Sequence, residues 1–425
     1  MFMRWRELEA EQKKPLDYKM EMAGKAIVAA FSSSRNRVAL AFSAGKDSTA
    51  LADFIRRFHP DLWERLHIIY GDTGVEYPEC VKFWRFICHE WNLGDRAHVA
   101  RPERTDEPGL KYESQRKVWQ WAIETGKIKE VLKPDGKLKT TRALESLAEQ
   151  MEGGSTLPRW PTGTRKGYWW CVDQYGWPLL GKAFSKLKAH RINIDTFLRF
   201  SKSQSTSPKL LAYYRILKQV KISQACCDFL KKEPSRRIQQ QLGVDVILKG
   251  LMASESRSRA KNFLSRGYLF QGARVDYLRD DPFWHCQPLA IWTDDDIWQY
   301  LRRYDVPYAA LYDLGYRDKS GNYHKIKRNG CMGCATDLLF PNNHMAMLRR
   351  THPRSWFTFM SLGMAAQIQT LQRINRNGQM SIFDTFEPEE LLEAKPCYFD
   401  SITHMVMCDD TGSGEQVEFD PEVED

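Results

Sequence analysis

An apolar run from Val38 to Phe42 stops at the small polar stretch Ser43, Ala44, Gly45, Lys46, Asp47 and Ser48. Apolar residues then return with helical spacing at Leu51, Phe54, Ile55 and Phe58. The pattern reads as a buried strand, a tight loop and a helix. A strand feeding a helix in this way suits a parallel sheet with helical crossovers. The loop also has a chemical sense. Gly45 lets the backbone approach an oxyanion, the loop amides and the helix N-terminus favour negative charge, and Lys46 adds a point charge. Asp47 and Ser48 suit an N-cap, so an ordinary capped turn would satisfy the same residues. The spacing is not the G-x-x-x-x-G-K-[ST] of a Walker loop.

At 425 residues the chain can bury a good core, as one elaborated domain with appendages or as two domains. No run approaches the roughly 18 apolar residues of a membrane span, and the charged N-terminus lacks a signal-peptide pattern. A soluble, cytoplasmic protein is expected. Ten cysteines in that setting argue for metal or thiol chemistry rather than a disulfide scaffold. The net charge of +9 is unevenly spread, because the tail 409–425 holds eight acidic residues and no basic one. The more basic remainder favours polyanions such as nucleotides or nucleic acid.

Residues 1–35 read as one amphipathic helical segment, with Met20, Ala23, Ile27 and Phe31 on one face. Leu66 to Tyr70 reads as a second buried strand, and His98 to Ala100 as a third. Ligands of such sheets sit at the carboxyl ends of the strands. Asp72 and Thr73, just past the second strand, would therefore lie beside the loop, to hold Mg²⁺ or a ribose hydroxyl, or only to cap the next helix. Cys80 and Cys88 read as core thiols. Residues 101–220 form a long, basic, aromatic-rich insertion. Its Arg159, Trp160, Tyr168, Trp169, Trp170 and Trp177 could line a stacking groove for single-stranded nucleic acid, or make the small core of an inserted lobe. Arg199 to Lys221 is patterned as a basic helix. Val244 to Lys249 is a β-branched strand, and Thr293 with Asp296 has N-cap spacing. Residues 341–408 are patterned as a helical C-terminal region, ahead of the acidic tail.

Gly330 and Gly333 bracket Cys331 in a C-x-x-C knuckle that ends at Cys334. Alone, it is a redox motif or half a metal site. With Cys226 and Cys227 upstream, the sulfur-only inventory suits an iron–sulfur cluster or zinc. Cys286 lies between the two pairs. Lys325, Lys327 and Arg328 would stabilise nearby thiolates.

Several motifs occur together in order: S-x-G-K-D-S at 43–48, D-T-G-x-E-Y-P-E at 72–79, and L-K-K-x-P at 230–234. They continue with G-x-x-x-x-E-S-x-x-R at 250–259, P-L-x-x-W-T-x-x-D-I-W at 288–298, and the knuckle. This series resembles the phosphoadenosine-phosphosulfate (PAPS) reductase family of the adenine nucleotide α-hydrolase, or PP-loop, superfamily. The resemblance implies an α/β fold: a Rossmann-like (HUP-type), mostly parallel sheet with helices on both faces. Its two parts, 36–100 and 221–340, would be separated by the basic helical insertion. It places an adenine nucleotide over Ser43 to Ser48, Asp72 and Thr73, and Gly250 to Arg257 including Glu255. Lys46, Asp47 and Asp72 would carry the catalytic roles. It also implies a [4Fe–4S] cluster on Cys226, Cys227, Cys331 and Cys334, with Cys286 as a substitute ligand and zinc as the alternative.

The sequence departs from the family at Met252, where many members carry arginine. It also lacks the E-C-G-[IL]-H motif that holds the reductases' catalytic cysteine, leaving Cys397 or Cys408 for that role. The expected function is therefore ATP cleavage between the α- and β-phosphates with Mg²⁺, coupled to sulfur transfer. The acceptor could be nucleic acid, and a cysteine desulfurase or another protein would donate the sulfur. A PAPS or APS reductase is the alternative, and a non-catalytic nucleotide or redox sensor the third reading.

Overall fold

The strand that leads into Ser43–Ser48, β1 (Arg37–Phe42), buries both of its faces, as a central parallel strand must. In a computed structural model of the chain, β2 (Leu66–Gly71) and β4 (Val244–Lys249) flank it in parallel, with Leu40 opposite Ile68 and Leu248. Outside them lie β3 (Ala97–Ala100) and β6 (Trp284–Cys286), also parallel, and β5 (Leu269–Gln271) closes one edge antiparallel. The strand order is β3-β2-β1-β4-β6-β5. The structure describes residues 3–104, 121–127, 163, 165–179, 223, 225–272, 283–317, 323–335, 344–368, 397–400 and 405–408. The chain divides into two compact units, Met1–Pro102 with Leu230–Cys331, and Glu103–Phe229 with Met332–Asp425.

The sheet belongs to the first unit and carries helices on both faces. Alternation along the strands sends Ala39, Ile69 and Ile247 to one face, where Ile238 of α6 (Glu233–Gln241) packs on them. Phe42 and Tyr70 face the other way and meet Trp84 of α5 (Pro78–Glu90), with ring centroids 5.5 and 4.9 Å apart. On that side Cys286 lies under α2 (Leu16–Ser33), its thiol 3.5 Å from the Ala26 carbonyl. The expected Rossmann-like α/β architecture is the one observed.

The N-terminal segment differs from expectation. It is two helices, α1 (Trp5–Gln12) and α2, because Pro15 stands at the N-cap of α2. Proline has no N–H to continue a helix, and its ring clashes with the preceding turn. The phosphate-loop helix α3 (Lys46–Phe58) is followed by a short turn of helix, α4 (Pro60–Trp63). Further on, α7 (Arg257–Arg266) starts at a Ser256 cap, and α8 (Asp294–Arg303) at the expected Thr293/Asp296 capping box. Asp53, with a fully buried side chain, ties α3 to α8. It accepts hydrogen bonds from Arg56, Arg57 and the Tyr300 hydroxyl at 2.8, 3.3 and 3.0 Å.

In the second unit the aromatic segment packs upon itself. Helix Tyr168–Tyr175 sets Trp169 against Trp177 and Phe359 at centroid distances of 5.8 and 5.5 Å, and Trp170 against Phe229 at 5.2 Å. The Tyr168 hydroxyl donates to the Gly333 carbonyl at 2.7 Å. These rings form a local core, the plainer of the two readings of that stretch. Helices His344–Thr351 and Pro353–Phe359 follow. Strands Cys397–Asp400 and Met405–Cys408 pair antiparallel, where a helical C-terminal region was expected. Arg159, Trp160, the helix patterned over 199–221, and the acidic tail lie outside the described residues. Among the described residues, no helix is long and apolar enough to cross a membrane.

Candidate nucleotide site

Strand order reverses beside β1, whose neighbours β2 and β4 are reached by crossovers on opposite sides. In open α/β sheets the crevice beyond such a reversal is the ligand site. The segments leaving β1, β2 and β4 are Ser43–Ser48, Asp72–Thr73 and Gly250–Glu255, so three separated motifs come to the same end of the sheet.

The loop is held by its own hydroxyls. Ser48 Oγ donates to the Gly45 carbonyl at 2.9 Å, Thr49 Oγ1 does the same at 3.0 Å, and the Gly45 N–H donates to Ser43 Oγ at 3.3 Å. Ala44 adopts φ +55°, a left-handed conformation unusual for a residue with a Cβ. Helix α3 begins at Lys46 with Gly45 as its N-cap and no side-chain cap. The expected capping by Asp47 or Ser48 is not what forms. The Lys46 N–H instead donates to the Tyr312 hydroxyl at 3.1 Å.

Two neighbouring segments press on this loop. A Cβ added at Gly250 would lie 3.0 Å from the Asp47 carbonyl group, so only glycine lets β4's exit pass so close. Asn329, next to the knuckle, packs over Gly45 and donates from its amide to the Ser43 carbonyl at 2.6 Å.

The cations here are already matched with carboxylates. Lys46 Nζ sits 2.8 Å from Asp47 and 2.7 Å from Asp294. Asp72 accepts from Arg101 at 3.0 Å and from the Gly74 N–H at 3.0 Å. Glu255 pairs with Arg259 and Arg328, and also accepts from the Met252 N–H at 3.1 Å. Burial and the nearby Arg328 lower the Arg259 pKa, with Asp47 opposing. Arg257 is exposed, and Arg259, one helical turn beyond Glu255, takes the contact. Arg328 likewise serves Glu255 rather than only a thiolate. Met252 is buried and brings no charge to the crevice.

Thr73 is buried, and its hydroxyl donates to Glu76 at 2.7 Å; Cys331 Sγ stands 3.5 Å from the Thr73 hydroxyl. Burial raises the Glu76 pKa, opposed by Lys231 and the Thr73 hydrogen bond. Cys331 thus belongs to the nucleotide unit, whereas Cys226, Cys227 and Cys334 fall in the second unit. Among the described residues, no group of three or more His, Cys, Asp or Glu side chains is placed to hold a metal ion. The chemistry proposed below draws on no metal or cluster. Cys286 is fully buried in β6, and burial pushes its thiol up to about 12. In β6 it packs beneath α2. Cys80 also has its thiol pushed up to about 12, chiefly by burial, as a core thiol should, while Cys88 is only half-buried.

One titration is built into the sheet beside the site. Lys249, at the end of β4, lies 3.1 Å from His285 Nδ1, and Phe270 and Phe283 flank the ring. Burial, then the charges of Lys249 and Arg266, hold this imidazole down to about 3 against an ordinary 6.5. The folded protein therefore resists a proton that the unfolded chain accepts. Its stabilising contribution is complete above about 6.5 and is lost as pH falls from there toward 3. Urea unfolding at pH 7 and pH 5 should show a smaller acid loss for His285→Gln than for wild type. Equal losses would contradict the assignment.

Sequence reasoning missed Tyr312, Asn329, Arg101 and the Lys46 contact of Asp294, all of which reach the site from distant segments. Only the D-D-D triplet behind the Thr293 cap hinted at any of them.

Comparison with known proteins adds a family. The model of the phosphoadenosine phosphosulfate reductase domain matches residues 37–157 and 182–336. A phosphoadenosine 5'-phosphosulfate reductase of Xanthomonas axonopodis pv. citri is 35% identical over 98 residues, 23% of this chain and 35% of the relative. One from Xylella fastidiosa (strain M23) is 33% identical over 86 residues, 20% of this chain and 31% of the relative. The chain thus spans about a third of the length of these curated relatives. A phosphoadenylyl-sulfate (PAPS) reductase from Candida auris, in complex with phosphate, aligns over 78% of this chain and 99% of that one. It does so at 13% identity and a TM-score of 0.33, too distant a likeness to support an argument.

Proposed function

Because the chain belongs to the phosphoadenosine phosphosulfate reductase domain family, we propose that it binds an adenine sulfonucleotide at the Ser43–Ser48 loop and reduces its sulfonyl group with thiols. The observation that carries this reading is the family match, whose residues include the loop, Asp72–Thr73 and Gly250–Arg259. The relatives' names favour a reductase over the ATP-cleaving sulfurtransferase that the motifs suggested first, and the order of those two readings reverses. The loop amides and Lys46 would neutralise the nucleotide's phosphate. Reduction to sulfite takes two electrons, which two thiols supply by ending as one disulfide. Cys397 and Cys408 support this requirement, since they stand directly opposite each other in antiparallel register. Opposed residues of such a pair have Cα atoms about 4.5–5.5 Å apart, within the span a disulfide bridges.

A second reading keeps a specific observation in its favour. Met252 brings no phosphate-directed charge to a position where a sulfonucleotide enzyme of this family often has one, and this suits ATP with α–β cleavage. Protein purified without oxygen and given PAPS with dithiothreitol should release sulfite, and Cys397→Ala/Cys408→Ala should release at least tenfold less. Pyrophosphate from ATP and Mg²⁺, with no sulfite from PAPS, would replace the first reading by the second.

A further inference from the structure

Lys46 is the cation expected to meet a ligand phosphate, yet its ammonium is enclosed. Its side chain is 3% exposed, held between the carboxylates of Asp47 and Asp294 at 2.8 and 2.7 Å. Below it, the Tyr312 ring centroid lies 5.9 Å away. An ammonium has three hydrogen-bond donors, and two of them face these carboxylates. A ligand can take more than the third donor only where a carboxylate gives way.

The two carboxylates are not equivalent. Asp47 is adjacent to Lys46 in the chain and 23% exposed, and its main chain runs close beneath Gly250. Asp294 is 57% exposed and arrives from the first position of α8. That position offers its charge a second stable place, because helix N-termini favour carboxylates. Asp296, from the same triplet, is committed elsewhere. It accepts from Thr293 in the capping box and pairs with Lys19.

We infer that Asp294 is a specificity-determining residue, a carboxylate that occupies the phosphate position on Lys46 until a nucleotide phosphate displaces it. The inference rests on the reading that Lys46 binds a nucleotide phosphate. Asp294 then acts as a tethered competitor. Weakly charged ligands fail to dislodge it, and the apparent affinity of every phosphate ligand is reduced by the fraction of molecules in which the contact is closed. A carboxylate that served only to dock α8 onto α3 would behave differently, since its loss would loosen the fold without freeing the cation.

The test is calorimetric titration of inorganic pyrophosphate into the full-length protein, with thermal unfolding of each sample alongside. Asp294→Asn and Asp294→Ala should both bind pyrophosphate about tenfold more tightly than wild type. Unchanged or weaker binding in both would overturn the inference, most plainly if their melting temperatures also fall. Lys46→Ala separates this from the underlying reading. If that variant loses pyrophosphate while the Asp294 variants gain nothing, only the tethered competitor is refuted. If Lys46→Ala binds as wild type does, both the competitor and the phosphate-binding role of Lys46 are refuted.

Discussion

Lys46→Ala is expected to bind PAPS about 100-fold more weakly than wild type, a loss of about 3 kcal/mol. The magnitude follows from burial. An exposed lysine on a phosphate contributes little through a high dielectric, but this ammonium is almost wholly enclosed, where removing one partner of a charge pair costs roughly 2–5 kcal/mol. Its place at the start of α3 would add to the effect, because the first-turn amides and the lysine would act on the same bound phosphate. Equilibrium binding of PAPS to both proteins decides the matter. A loss under fivefold would mean that the loop amides alone hold the phosphate and that Lys46 serves Asp47 and Asp294. Lys46→Arg is not a neutral control, since a planar guanidinium cannot fit a pocket shaped for a compact ammonium.

The largest expected effect on stability belongs to Asp53→Ala, about 3 kcal/mol by urea unfolding. Asp53 contacts no ligand segment and is fully buried, yet three donors converge on it: Arg56, Arg57 and the Tyr300 hydroxyl. Breaking a buried charge pair by removing one partner typically costs about 3–5 kcal/mol. The lower figure applies because both arginines remain about a third exposed and can rehydrate. The Tyr300 hydroxyl cannot rehydrate so easily, being on a fully buried residue packed against Trp292. A change below about 1 kcal/mol would show that α3 and α8 are held by their apolar faces and not by this carboxylate.

The parts of this fold that were legible in the sequence are the local ones. β1, β2 and β4 announce themselves as short apolar runs ending at small or polar residues, since a strand buried on both faces must be apolar throughout. The Thr293–Asp296 cap was legible because a capping box is a contact over three residues. Pro15 could have been read as the break between α1 and α2, but the helical spacing on either side of it masked the interruption. The hairpin that faces Cys397 with Cys408 was not legible: the apolar residues around it, Tyr398, Phe399, Met405 and Val406, satisfy either period over so short a span.

The site divides along the same line. Ser43 to Ser48, Asp72 with Thr73, and Gly250 could each be singled out from the chain, because their chemistry lies in residue type and local spacing. Residue types and spacing alone pointed to a small polar loop closing a buried parallel strand, and Ser43 to Ser48 occupy that place. What that loop touches was settled by the packing of distant segments. Tyr312 reaches Lys46 across 266 residues and Asn329 reaches Ser43 across 286. The same packing brings Arg259 and Arg328 to Glu255 and lets Asp294 share the Lys46 ammonium with Asp47. Such partners leave no periodic trace, because they are chosen by the order in which the strands pack, and that order is set by contacts over the whole sheet.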